Sequence, residues 1–318
     1  MPPGTPSLDD LRREIDEIDT RIHDLLMERA EVGRRVGEVK GSGGPYIRPG
    51  REAQILRRLI ARHSGPFPHR VVVRLWREIV SAFSAMQGPF AIAASAPDGG
   101  PDLAPLARDH FGSESPIQRH GSSAGVLRSV TDGVATVGVL PVPRDDDGDP
   151  WWRVLSRDGE ARPRIVARLP FAAPKQRGDL TEALAVALIP QEESGEDRSY
   201  VILEARAQIS RSSLMSRFAA VGLEIVGICL WTDGPDRRLH LVELEGYLAE
   251  DDPRLAQLTG EGAEAIDHIW AVGGYAVPLG PAALAEPLPC APAPAVAEAE
   301  APPAGEAATE TAVESEAP

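Results

Sequence analysis

Residues 25–40 read LLMERAEVGRRVGEVK, and Arg29 falls where the periodicity of the segment calls for an apolar side chain. Alternating steps of four and three from Leu11 reach Ile15, Ile18, Ile22, Leu25, Arg29, Val32, Val36 and Val39, one face of nine positions interrupted once, by a cation. Ser7 followed by Asp10 has the form of a helix N-cap with an acidic residue at N3, and GSGGP at 41–45 stops the pattern. The spacing therefore predicts one helix over 8–40, a length typical of a bundle or coiled coil. A second helix over 51–63 turns Ile55, Leu56, Leu59 and Ile60 to one side. A third, over 69–87 behind the GPFP turn, turns Val72, Leu75, Ile79, Phe83 and Met86 inward. Helices this unequal do not close a core alone, and dimerisation along the first would cover its seam.

From Phe90 onward short apolar runs alternate with helical ones: FAIAAS, LAPLARDHF, AGVLRSVTDG and VATVGVLPV read as an α/β unit. RDDDGDP reads as a solvated turn, Trp151–Trp152 as packing, PRIVARLPF as a strand and TEALAVALI as a helix. SYVILEAR at 199–206 opens a βαββ-like stretch. GSSAG at 121–125 has the spacing of a nucleophile elbow, but IQRH before it is a poor strand, and a helix N-terminus explains it better than a nucleophilic Ser123. Residues 281–318, with seven Glu and no base, lack the apolar residues needed to order and are expected to be a disordered tail. The fold expected is multidomain: an all-α helical dimer over 1–88, an α/β region over 89–196, an α+β domain over 197–280, then the tail.

The net charge of -15 is uneven, with +3 in residues 1–87 and -7 in residues 281–318. No basic face is dense enough for nucleic acid, and a mildly basic first domain suits a small anion. Cys229 and Cys290 form no disulfide framework, and the seven histidines show no metal-ligand grouping. The start lacks a basic and apolar leader, and no stretch approaches the roughly 18 apolar residues of a membrane span, so the expectation is a soluble, cytoplasmic protein with no membrane partner.

Arg29 on an apolar seam either snorkels or pairs with a carboxylate, or helps hold an anion. Lys40, 11 residues on, returns to within roughly 20° of the same face, about 16 Å along the axis, so two long cations could converge. Arg12 points some 100° away and about 25 Å back, and would enter such a site only from a partner helix. Arg51 and Glu52 lie in the first turn of helix two, and Gln87 lies four residues after Phe83.

The stretch LDDLRREIDEIDTRIHDLLMERAEVGRRVGEVK, then RPGREAQILRRL, then RLWREIVSAFSAMQ, strongly resembles the all-helical class of chorismate mutase across residues 8–87. The resemblance implies an intertwined homodimer and a pericyclic rearrangement of chorismate to prephenate with no nucleophile, metal or cofactor. It assigns Arg29 to one substrate carboxylate and Arg12, from across the interface, to the other. Lys40 and Gln87 would stabilise charge on the ether oxygen, Arg51 would support the carboxylate end, and Glu52 would accept from the ring hydroxyl. The sequence departs from the family at two substrate-lining places: Arg48 stands where an Asp is common, and Phe83 where a small Ser is common.

HFGSESPIQRHGSSAGVLRSVTDGVATVGVLPV is similar to the first lobe of prephenate dehydratase, and EGYLAEDDPRL with WAVGGYAVPL resembles the end of an ACT-type regulatory domain. Where the dehydratase carries Thr-Arg-Phe this chain has EDRSYVILE, and PRDDDGD replaces Glu-Asn-Ser. ISRSSL and GICLWTD stand in place of the Gly-Ala-Leu and Glu-Ser-Arg-Pro ligand motifs. The reading is thus a chorismate mutase of aromatic amino-acid biosynthesis carrying a degenerate dehydratase-like and ACT-like part; the alternatives are a bifunctional mutase/dehydratase, and a non-catalytic protein that uses the helical fold to dimerise.

Overall fold

The computed structural model describes residues 6–40, 47–145, 147–156, 159, 162–173, 181–206, 208–233, 237–260 and 265–285, and of Lys40, Asp233 and Arg237 the backbone alone. Helix α1 runs Leu8–Lys40. Its start is a reciprocal cap: the Asp10 amide donates to Ser7 Oγ (3.1 Å) and the Ser7 amide to Asp10 Oδ2 (3.2 Å), which also lowers the Asp10 carboxyl. Helix α2, Pro49–Arg62, opens on a proline whose missing N–H costs nothing there, and α3, His69–Gln87, ends at Gly88.

α1 packs on α3, yet its apolar seam stays in solvent: Ile15 is 57%, Ile22 52% and Leu25 62% exposed. The inward face of α3 is rotated from the expected one. Val72, Val73, Arg77 and Ser84 are buried, whereas Leu75 and Met86 are exposed. The cause is a neighbour that helical periodicity does not reveal. Ala53, Leu56 and Val73 close a core with Phe171, Leu279 and Leu284 from the rest of the chain, so α2 and α3 are covered from that side. Arginines clamp this contact: Arg57 donates to the carbonyls of Ser194, Glu196 and Val277, and Arg70 to those of Ala173 and Leu284. The described residues form one compact unit.

The remainder is a nine-stranded sheet of order β2-β1-β3-β5-β4-β9-β6-β8-β7. β1 (Ile92–Ser95), β2 (Ile117–His120) and β3 (Val137–Pro141) are parallel, with α4 (Ala104–Phe111) and α5 (Ser123–Thr131) as crossovers. IQRH is therefore a strand after all, tolerated because it lies at the sheet edge, where its polar side chains reach water.

TEALAVALI is a strand, not a helix: β5 (Ala183–Ala187) lies antiparallel between β3 and β4 (Arg164–Leu169) and is wholly buried. Its side chains obey period two. Ala183, Ala185 and Ala187 join the core under α4, while Leu184 and Val186 join the core under α5. A short apolar run buried on both faces carries no periodic signal that separates strand from helix.

β6 (Asp197–Arg206), α6 (Arg211–Ala220), β7 (Ile225–Asp233), β8 (Arg237–Glu245), the single-turn α7 (Pro253–Ala256) and β9 (Ile266–Ala276) form a ferredoxin-like βαββαβ unit. It joins the other strands where Ile165 of β4 pairs in parallel with Gly273 of β9. Gly273 has φ +92°, and a Cβ there would lie 2.2 Å from the Ile165 carbonyl oxygen. Gly273→Ala is expected to lower unfolding free energy by about 2–4 kcal/mol, read from urea denaturation.

The expected tail begins late. Residues 281–285 form a turn in which Leu284 is fully buried and the Ala285 carbonyl meets His69 Nδ1 at 2.9 Å, because α3 offers an apolar seat beside Arg70. The rest of the segment, with Cys290, lies outside the described residues. No helix among the described residues is long and apolar enough to cross a membrane.

Candidate active site

Arg29 turns toward α3. Its guanidinium lies over the Phe83 ring, 4.2 Å from the centroid, and is half-buried; desolvation lowers its pKa. It has no carboxylate partner among the described residues. The cation that breaks the seam is thus stacked and partly desolvated, but its charge is uncompensated.

The glycines of α1 allow this approach. A Cβ on Gly33 would meet Phe83 Cδ1 at 3.8 Å, and one on Gly37 would meet Gln87 Cγ at 3.5 Å, so the two helices come together along Gly33 and Gly37. Gln87 therefore sits across from Gly37, which precedes Lys40 by three residues; the Lys40 side chain lies outside the described residues. Arg29, Phe83 and Gln87 are brought together on one helix pair.

The other expected residues stand apart from that pair within one chain. Arg12 pairs with Asp9 (3.2 Å) on the exposed start of α1. Arg48 pairs with Glu192 (2.6 Å), so its charge is taken up by the sheet domain. Arg51 donates to Gln54 (3.2 Å). Glu52 Oε2 accepts from Arg77 Nη1 at 2.7 Å, and Oε1 has no partner among the described residues.

Arg77 was not legible as a site residue, although the same reasoning finds it: four residues after Val73, it is a cation on a buried stripe. Burial lowers its pKa and Glu52 opposes that shift, while Phe171 covers it with its ring centroid 5.0 Å away. Removing Glu52 strands a buried charge. Glu52→Leu is expected to cost roughly 3–5 kcal/mol in urea unfolding, and most of that loss should return in the double variant Glu52→Leu/Arg77→Met.

The sheet domain puts its motif positions to structural use. Asp197, in the EDRSYVILE stretch, accepts from the Ser194 amide (2.8 Å), Ser194 Oγ (2.6 Å) and the Gly195 amide (3.1 Å). Arg198 pairs with Glu245 (3.2 Å). Between β3 and β4 the described residues hold one 3₁₀ turn, Trp151–Leu155, packed with Trp151 Nε1 donating to the Pro141 carbonyl. In GSSAG, Ser122 caps α5 by accepting from the Gly125 amide (3.2 Å), the helix-terminus role, and Ser123 is the first helical residue. Among the described residues no three His, Cys, Asp or Glu side chains group as metal ligands.

Residues 11–88 match the family model of chorismate mutase type II. A bifunctional chorismate mutase/prephenate dehydratase of Stutzerimonas stutzeri is 34% identical over 144 residues, covering 43% of this chain and 39% of that protein. An intracellular chorismate mutase of Mycolicibacterium smegmatis is 41% identical over 58 residues, 18% of this chain and 56% of that protein. The chain thus spans about two-fifths of the length of the bifunctional relative. Among solved structures, prephenate dehydratase from Streptococcus mutans aligns with a TM-score of 0.43 at 16% identity, over 60% of this chain and all of that one.

Proposed function

We propose that this protein is a cytoplasmic chorismate mutase that converts chorismate to prephenate as a homodimer, each site combining the helices of one protomer with the start of α1 from its partner. The observation that carries this reading is Arg29, stacked on Phe83 and without a counterion among the described residues. A buried or half-buried cation left unpaired is costly unless an anion arrives to complete it.

The reaction breaks an ether C–O bond as a C–C bond forms in the same molecule, so no group on the protein bonds to substrate. What the site supplies is geometry and fixed charge. Arg29 holds one carboxylate and Arg12 of the partner subunit the other. Lys40 and Gln87 meet the ether oxygen as negative charge builds there, Arg51 supports the carboxylate end, and Glu52 offers its free Oε1 to the ring hydroxyl while Arg77 fixes Oε2. Phe83 positions Arg29, and Arg48 acts through the sheet domain rather than on substrate. The exposed seam of α1 supports the dimer, since a row of large apolar side chains in water marks a contact surface.

A mutase without dehydratase activity is supported by EDRSYVILE and PRDDDGD standing where the dehydratase carries Thr-Arg-Phe and Glu-Asn-Ser. The test is to incubate purified protein with chorismate, follow loss of its ultraviolet absorbance, and assay prephenate and phenylpyruvate before acidification. Chorismate consumed with prephenate accumulating is expected. No consumption overturns the proposal in favour of a binding role, and phenylpyruvate at neutral pH favours a bifunctional enzyme.

A further inference from the structure

Where α3, α4 and the residues following β4 meet, a cavity of about 440 Å³ opens, and none of Arg12, Arg29, Lys40, Arg51, Glu52 or Gln87 lines it. Its size is that of a small-molecule site. Arg70, Arg74 and Arg77 line it from α3, Asp109 and His110 from α4, and Asp102 from the turn before α4.

The charges do not cancel. Arg77 is neutralised by Glu52, and Asp102 is committed to the Ala104 amide (3.0 Å) and to Arg119 (3.0 Å). Arg70 donates to the carbonyls of Ala173 and Leu284, which leaves its charge uncompensated, and Arg74 has no partner among the described residues. Among the described lining residues Asp109 alone stands against these two cations.

His110 adds a second, independent sign. It is 6% exposed, and its ring nitrogens have no hydrogen-bond partner among the described residues. Neither nitrogen is sealed in the packing without a partner, and the ring lines the cavity. Burial and the neighbouring Arg77 keep the imidazole neutral, so it presents one N–H donor and one acceptor. Val73, Pro105, Leu106 and Phe171 supply apolar wall.

We infer that this cavity binds a small organic carboxylate, its anionic end held by Arg74 with His110 as a hydrogen-bond partner and its apolar body against Val73 and Leu106. This site is distinct from the one proposed for chorismate, and binding there does not depend on mutase turnover. The two share a wall all the same: Arg77, in the cavity, holds Glu52 of α2.

The test is isothermal titration of the full chain with phenylacetate, with benzyl alcohol and inorganic phosphate as probes of each half of the recognition. Phenylacetate is expected to bind one site per chain, at least tenfold more tightly than either of the other two. Arg74→Ala, an exposed position, should weaken it at least tenfold, whereas Arg108→Ala, on α4 but outside the cavity, should not change it. Absence of phenylacetate binding at millimolar concentration, or binding indifferent to Arg74→Ala, overturns the inference. Phosphate binding as tightly as phenylacetate overturns the assignment of an apolar body. Chorismate turnover measured on the same preparations reports separately on the mutase reading.

Discussion

Replacing Arg29 by alanine is expected to lower kcat/KM for chorismate by roughly 10²–10³-fold, the usual cost of removing one preorganised group that meets charge in the transition state. The more telling variant is Arg29→Leu. It completes the apolar seam from Leu11 to Val39, so a purely structural arginine would be improved upon, with dimer stability unchanged or raised. Activity should fall as far as in the alanine variant. Equal stability with lost turnover, read by urea denaturation beside initial rates, separates a ligand-holding cation from a snorkelling one. Arg29→Lys keeps the charge but loses the planar stack on Phe83 and should fall between the two.

The second large effect concerns the seam itself. Ile18 and Ile22 are 44% and 52% exposed in the single chain, and burial of the exposed half of each against a partner is worth about 0.7–1.5 kcal/mol. Ile18→Glu with Ile22→Glu removes four such side chains per dimer, roughly 3–6 kcal/mol, and buries carboxylates if the dimer forms at all. Sedimentation velocity at micromolar concentration should show a monomer, with chorismate turnover lost in parallel. The sheet domain should remain folded, because its cores do not include α1. A persistent dimer would place the interface elsewhere.

Local rules reached some of this molecule and not the rest, for identifiable reasons. The extent of α1 and its cap follow from Ser7, Asp10 and an unbroken period, all local. Arg29 stood out because a strict repeat makes a single exception visible. Arg77 carries the same signal on α3, but the stripe it interrupts is completed by Phe171 and Leu284, far along the chain, so the helix alone suggests a different inward face. β5 failed for another reason: alanine and leucine favour helices in isolation, and only the strands on either side make ALAVA a strand. Likewise nothing near Arg48 announces Glu192, 144 residues away. Long-range partners decide each of these, and a single sequence lists residues without saying which are neighbours.

These contacts also recast the helical segment. A helix pair that lacks a core of its own, tied together by Glu52–Arg77, is clamped to the sheet domain through Arg57 and Arg70. The sheet domain thereby supports α2 and α3. α1 is left free to engage a second copy.

A site shared between protomers is tested most directly by mixing two inactive variants. Arg29→Ala and Arg12→Ala damage the same site from opposite chains, so a mixed dimer holds one doubly damaged site and one intact site. Co-expressed in equal amounts and assayed for chorismate loss, the pair should recover about a quarter of wild-type activity, since about half the dimers are mixed and each has one intact site of two. Activity no higher than that of the separate variants, in a preparation shown to contain the mixed dimer, would contradict a site completed by the partner subunit.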